Sequence, residues 1–96
     1  MKLRVLISPE ARKTFVEHLV SLQARSPAAA RLLRDELFAL LDLVAGGGFD
    51  GMSYTLPSGE VTRRLVLGHF LIFYVREPKV LRVVLIHDAR QRPLDP

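Results

Sequence analysis

The residues of this chain best suited to chemistry are cationic, and they gather in its last third. Arg63, Arg64, Arg82, His87 and Arg90 lie in residues 60–91, EVTRRLVLGHFLIFYVREPKVLRVVLIHDARQ, with Arg92 just beyond. A guanidinium is a planar fork that pairs bidentately with carboxylate or phosphate. Such a set, edged by the aromatic Tyr74, describes a surface that meets an acidic protein segment or a phosphate backbone. The plainer alternative is that strand arginines lay their stems over apolar neighbours and keep their heads in solvent or on a carboxylate. Few other residues offer chemistry. There is no cysteine, hence no disulfide or thiolate metal site. His18 falls on the border of a helical stripe with nothing at metal-ligand spacing beside it, so it reads as a surface histidine and no metal is expected. The run Gly46, Gly47, Gly48 lacks the Lys-Ser/Thr and the following helix of a phosphate loop, and reads as a helix terminator. No cofactor is expected.

The elements that position these residues follow from periodicity. Residues 1–8 alternate, with Leu3, Val5 and Ile7 on one side and Lys2 and Arg4 on the other, as in a half-buried strand. Ser8-Pro9 is a helix start, cap then proline, and Ser26-Pro27 repeats it. The first helix is predicted over residues 9–24, its stripe Ala11, Phe15, Leu19 and Leu22 widened by Val16 and Val20. The second is predicted over residues 27–45, with Ala29, Leu33, Leu37, Leu40, Leu41 and Val44 facing the core. The short link between them demands an antiparallel helical hairpin. Residues 54–56 read as a short edge strand, and Gly68-His69 as a two-residue hairpin loop. The order of strand, two helices and further strands predicts an α+β fold. It has two layers, an N-terminal strand and a helical hairpin packed on one face of an antiparallel sheet. One domain is expected across residues 1–96, with a flexible tail from about 91.

The turns fix which residues stand together. With Gly68-His69 as the loop, Leu67 faces Phe70, Leu65 faces Ile72, Arg63 faces Tyr74 and Arg64 faces Phe73. The next corner is open to two readings. A three-residue loop over 77–79 puts Arg63, Tyr74 and Arg82 in one row; a two-residue loop at Pro78-Lys79 flips the parity and moves Arg82 to the face of Arg64. The strands are apolar on both sides, from Phe70 to Val75 and from Val83 to Ile86, as in strands covered on both faces. Only one helical layer is encoded. A partner chain, a second copy, or the segment 46–59 folded back with the tail must cover the other face.

Eleven of the fourteen Lys and Arg residues are arginine and the formal charge is +4, which suits a nucleic-acid, ribosomal or acidic-protein partner. No charged-then-apolar leader opens the sequence, and no apolar run approaches the roughly 20 residues that span a bilayer. The expectation is a cytoplasmic protein with no membrane partner.

In order and spacing, the segments ISPEAR (7–12), SPAAA (26–30), RRLVLGHFLIFYV (63–75) and VVLIHDARQ (83–91) resemble the RelE/ParE toxins of bacterial type II toxin–antitoxin systems, over about residues 3–92. The RRLVLGHFLIFY segment followed by His87, Ala89 and Arg90 is most like the ParE branch. That resemblance implies a DNA gyrase poison acting by protein–protein binding, without catalytic residues and without direct DNA binding of its own. It implies neutralisation by a cognate antitoxin whose C-terminal segment wraps the toxin. The implied target contacts are Arg63, Arg64, Arg82, His87, Arg90 and Arg92; the implied antitoxin contacts are Phe15, Leu19, Tyr74 and Arg82. The alternative is the RelE branch, which cuts mRNA on the ribosome. In that reading Arg63, Arg64 and Arg82 hold the phosphate and His87 carries the proton. Two departures weigh against it: the strands of the meander contain no lysine, and His87 is followed by Asp88 rather than an aromatic.

Overall fold

The computed structural model describes residues 2–91. Strand β1 (Arg4–Ile7) leads into helices α1 (Pro9–Arg25) and α2 (Pro27–Ala45), followed by β2 (Met52–Thr55), β3 (Val61–Leu67), β4 (Phe70–Arg76) and β5 (Val80–Asp88). Both helices start as the sequence predicts. The Ser8 hydroxyl accepts from the Ala11 amide at 3.1 Å and the Ser26 hydroxyl from the Ala29 amide at 3.2 Å, each followed by proline in the first turn. Among the described residues no helix is long and apolar enough to cross a membrane.

The two layers are as expected, with one correction to the sheet. Its order is β1-β5-β4-β3-β2, and β1 runs parallel to β5, so the sheet is mixed rather than antiparallel. Parallel neighbours need a long connection, and the helical hairpin plus the meander supply it. Ala11, Phe15, Leu37, Leu41, Val44 and Ala45 pack on Leu65, Phe70, Ile72, Tyr74, Leu81, Val83 and Ile86 to form the core. Val16 and Val20 do not join it; both are exposed, because the α1 stripe is narrower than its periodicity implied.

The Gly68-His69 hairpin has the expected register, with Arg63 opposite Tyr74 and Arg64 opposite Phe73. Gly68 takes φ 59°, the positive value required at the first central position of such a turn. At the next corner Glu77 and Val80 exchange backbone hydrogen bonds (2.8 and 3.4 Å), so the loop is Pro78-Lys79. Arg82 therefore pairs with Val75, on the face of Arg64, and Val83 takes the place opposite Tyr74.

One feature has no counterpart in the sequence reading. Between Phe73 and Tyr74 the β4–β5 register shifts, and Val84 is the extra residue. Such a bulge inverts the facing of every residue after it. It turns His87 away from the helices, opposite Leu71, and turns Asp88 toward them, opposite Phe70. Ser8 fastens it: while its hydroxyl caps α1, it also donates to the Val84 carbonyl at 3.0 Å.

Candidate protein-docking face

Among the described residues no helix covers the second face of the sheet. Leu6, Met52 and Val66 are 42%, 72% and 58% exposed there, beside half-buried Leu71, Val75 and Leu85. Phe73 is fully covered on this side, and Thr62 is buried beside the edge strand. The Tyr54 ring of the edge strand lies 5.1 Å from it, and the Arg64 guanidinium lies over Tyr54 at 5.6 Å. The segment 46–59 thus shields Phe73 and Thr62 and leaves Leu6, Met52 and Val66 exposed.

The cations of this face are spread out and partly neutralised. Arg82 sits between two carboxylates, with Nε 3.2 Å from Glu77 and an Nη nitrogen 3.2 Å from Glu60. Those hydrogen bonds, Glu60 first, raise its pKa above the ordinary value for arginine. His87 lies five residues further along β5, on the order of 15 Å at the rise of an extended chain. Arg64 is two strands from His87, about 10 Å by strand spacing alone. In-line phosphoryl chemistry needs acid, base and cations on one phosphate within hydrogen-bond reach. These three residues surround an apolar surface instead.

Arg63 and Tyr74, expected as contact residues, belong to a structural knot. Tyr74 is 0% exposed, so it offers no surface to a partner. Its hydroxyl donates to Asp50 and accepts the Gly51 amide at 2.7 Å. Arg63 donates to the Gly51 carbonyl at 2.7 Å, and Arg76 donates to the Val44 carbonyl at 3.1 Å and to Asp50 at 3.4 Å. Gly51 is obligatory: a Cβ there would lie 2.3 Å from the Arg64 carbonyl oxygen. Burial alone would raise the Asp50 pKa, but hydrogen bonds from Tyr74 and Arg76 and the charge of Arg63 outweigh it and lower the pKa. Tyr74 is raised, by burial and then by its bond to Asp50. A buried tyrosine hydroxyl seeks a partner, which is the signal that could have implicated a loop acid; it does not say which one.

A second concave surface lies at the free edge of β1, a groove of about 460 Å³ walled by Val5, Ile7, Phe15, Val16, Leu19 and Phe38. Phe15 and Leu19 were expected to meet an antitoxin. Both border this groove, although Phe15 is only 6% exposed and is chiefly a core residue.

At the far end of β5, Asp88 is 4% exposed and its carboxylate takes three hydrogen bonds from Arg90: the amide (3.0 Å), Nε (3.3 Å) and an Nη nitrogen (3.2 Å). The Arg90 side chain, first of these influences, lowers the Asp88 pKa. Arg90 is thus occupied, and Arg92 lies outside the described residues. His18 is not solitary, as its sequence neighbours implied. Its ring lies 5.6 Å from that of His69, and the ligand atoms of His18, His69 and Asp88 all fall within 4.8 Å of one another. These residues are the ones able to hold a metal ion among those described. Compared with protein-family models and with curated proteins, the chain matches none.

Proposed function

We propose that the protein is the toxin of a type II toxin–antitoxin pair of the ParE kind. It acts by docking on DNA gyrase, and a cognate antitoxin that covers the same surface neutralises it. The observation that carries this reading is the helix-free sheet face, where Leu6, Met52 and Val66 stay exposed in a rim of Arg64, Arg82 and His87. An apolar patch rimmed by polar groups is the mark of a protein interface. The scatter of the cations, and the two carboxylates on Arg82, favour protein docking over RNA cleavage. The fit to an antitoxin extends to the β1 groove, where Phe15 and Leu19 border an apolar channel.

Purified protein assayed for gyrase supercoiling, and separately for mRNA cleavage on programmed ribosomes, tests this. Inhibited supercoiling with intact mRNA is expected. Val66→Asp, which puts a charge on the exposed apolar face, should abolish inhibition while the melting curve stays cooperative. His87→Ala should change inhibition by less than several-fold. Ribosome-dependent cleavage that falls roughly a hundredfold in His87→Ala would establish the nuclease reading instead.

A further inference from the structure

The cluster at the hairpin tip joins three elements. His18 comes from α1, His69 from the β3–β4 turn, and Asp88 from the end of β5. Each arrives by a separate device. His18 falls on the sheet-facing border of α1, its ring edge-on to Phe70 at 4.6 Å. Gly68 makes the tight turn that holds His69 over the sheet end, where its carbonyl accepts the Ala89 amide at 2.7 Å. The bulge at Val84 turns Asp88 inward; without it, His87 would stand opposite Phe70 and Asp88 would lie on the far face.

One detail sets this cluster apart from ordinary polar packing. The Nε2 atom of His69 is buried and has no hydrogen-bond partner among the described residues. A buried polar atom without a partner is rare and calls for an account. His18 also has a lowered pKa, first because burial disfavours its charge. A cleft of about 310 Å³, lined by Thr14, Glu17, His18, Ser21, Phe70 and Asp88, opens beside the cluster and gives access from solvent.

We propose that His18, His69 and Asp88 form a binding site for a divalent transition-metal ion, with Zn²⁺ as the best match. Two imidazoles and one carboxylate select an ion of borderline softness over Mg²⁺ or Ca²⁺, which take oxygen. Ligand bonds of about 2.1 Å in tetrahedral geometry place ligand atoms roughly 3.4 Å apart. The present spread, up to 4.8 Å, closes by small rotations of His18 and His69, neither of them locked in the core. The remaining position of the ion faces the cleft and takes water. Arg90 is the competitor: its guanidinium now occupies the Asp88 carboxylate, and an ion must share or displace it.

The test uses the full chain, freed of any histidine tag, titrated with Zn²⁺ in a calorimeter. One ion per chain is expected, with Mg²⁺ giving no heat. His18→Ala and His69→Ala should each weaken binding at least tenfold. His87→Ala, on the opposite face, should leave it unchanged, and Arg90→Ala should tighten it severalfold. Co²⁺ added to the unaltered protein supplies a readout that needs no variant, since it should broaden the imidazole resonances of His18 and His69 before that of His87. Absence of saturable Zn²⁺ binding overturns the proposal. So does binding that survives the His18→Ala/His69→Ala double change, or broadening that reaches His87 first.

Discussion

At the end of the sheet nearest the Pro78-Lys79 turn, Asp50, Gly51, Arg63, Tyr74 and Arg76 satisfy one another. At the Gly68-His69 end, His69 faces His18 and Asp88 with a buried ring nitrogen unused. Both clusters lie on the helix side of the same sheet. In the first, every polar group has a partner, and the Tyr74 hydroxyl serves as donor and acceptor at once. In the second, Arg90 satisfies Asp88, and the His69 Nε2 atom has no partner among the described residues. A closed network rigidifies the fold, whereas an open one loses desolvation energy that only an added partner restores. The first is thus part of the scaffold, and the second is where a ligand has something to gain.

The largest effect should come from opening the closed cluster. Tyr74→Phe removes one oxygen: the Gly51 amide keeps only its bond to the adjacent Asp50 carboxylate (3.1 Å), and that carboxylate loses its hydroxyl donor. A hydrogen bond to a charged group is worth about 1.5–3 kcal/mol. Urea unfolding should show a free energy lowered by that amount, read as a lower midpoint with unchanged slope. An unchanged midpoint would mean that water already replaces the hydroxyl, and the contrast between the two ends would weaken.

How much of this was legible in the sequence depends on what sets each contact. The helix starts follow from Ser8-Pro9 and Ser26-Pro27, whose chemistry is local. The β3–β4 register follows from Gly68, because a two-residue loop admits one pairing, and Arg63 does face Tyr74. The face of Arg82 hung on one residue of loop length, which Glu77-Pro78-Lys79 leaves undecided until Glu77 is seen to pair with Val80. The bulge was invisible: Val83, Val84, Leu85 and Ile86 are all apolar, so no position marks itself as the extra one. Every statement about His87 and Asp88 depends on that bulge. For this reason His18 read as a lone surface residue, although a carboxylate seventy positions later, that of Asp88, lies within 4.8 Å of it. The open apolar face was readable, since both-sided apolarity in Phe70–Arg76 exceeded what one helical layer could cover.

A smaller effect should appear with acid. Asp50 has a lower pKa in the folded chain than its ordinary value of 3.8. A carboxyl of that kind contributes stability above its unfolded pKa and loses it as pH falls through the folded one. Unfolding midpoints should therefore hold near neutrality and fall below about pH 4. Asp50→Asn should be less stable near pH 7, and the gap to the parent should narrow as the pH drops. Asp88 shifts in the same direction and is present in both proteins, so its share cancels from the comparison. Curves that stay parallel would remove Asp50 from the account of acid stability.

The smallest effect is the most discriminating, because it should be close to nothing. His69→Phe replaces the unpartnered ring by an apolar one of similar shape, in contact with Phe70 and His18. Exchanging a polar group that makes no hydrogen bond for an apolar one is nearly neutral or stabilising. In metal-free buffer the unfolding free energy should move by less than about 0.5 kcal/mol, or rise, whereas Tyr74→Phe at the other end lowers it. A loss as large as that of Tyr74→Phe would show that the His69 nitrogen already has a partner in the folded protein. The two ends would then be alike, and the reason to place an ion at His69 would go with the difference between them.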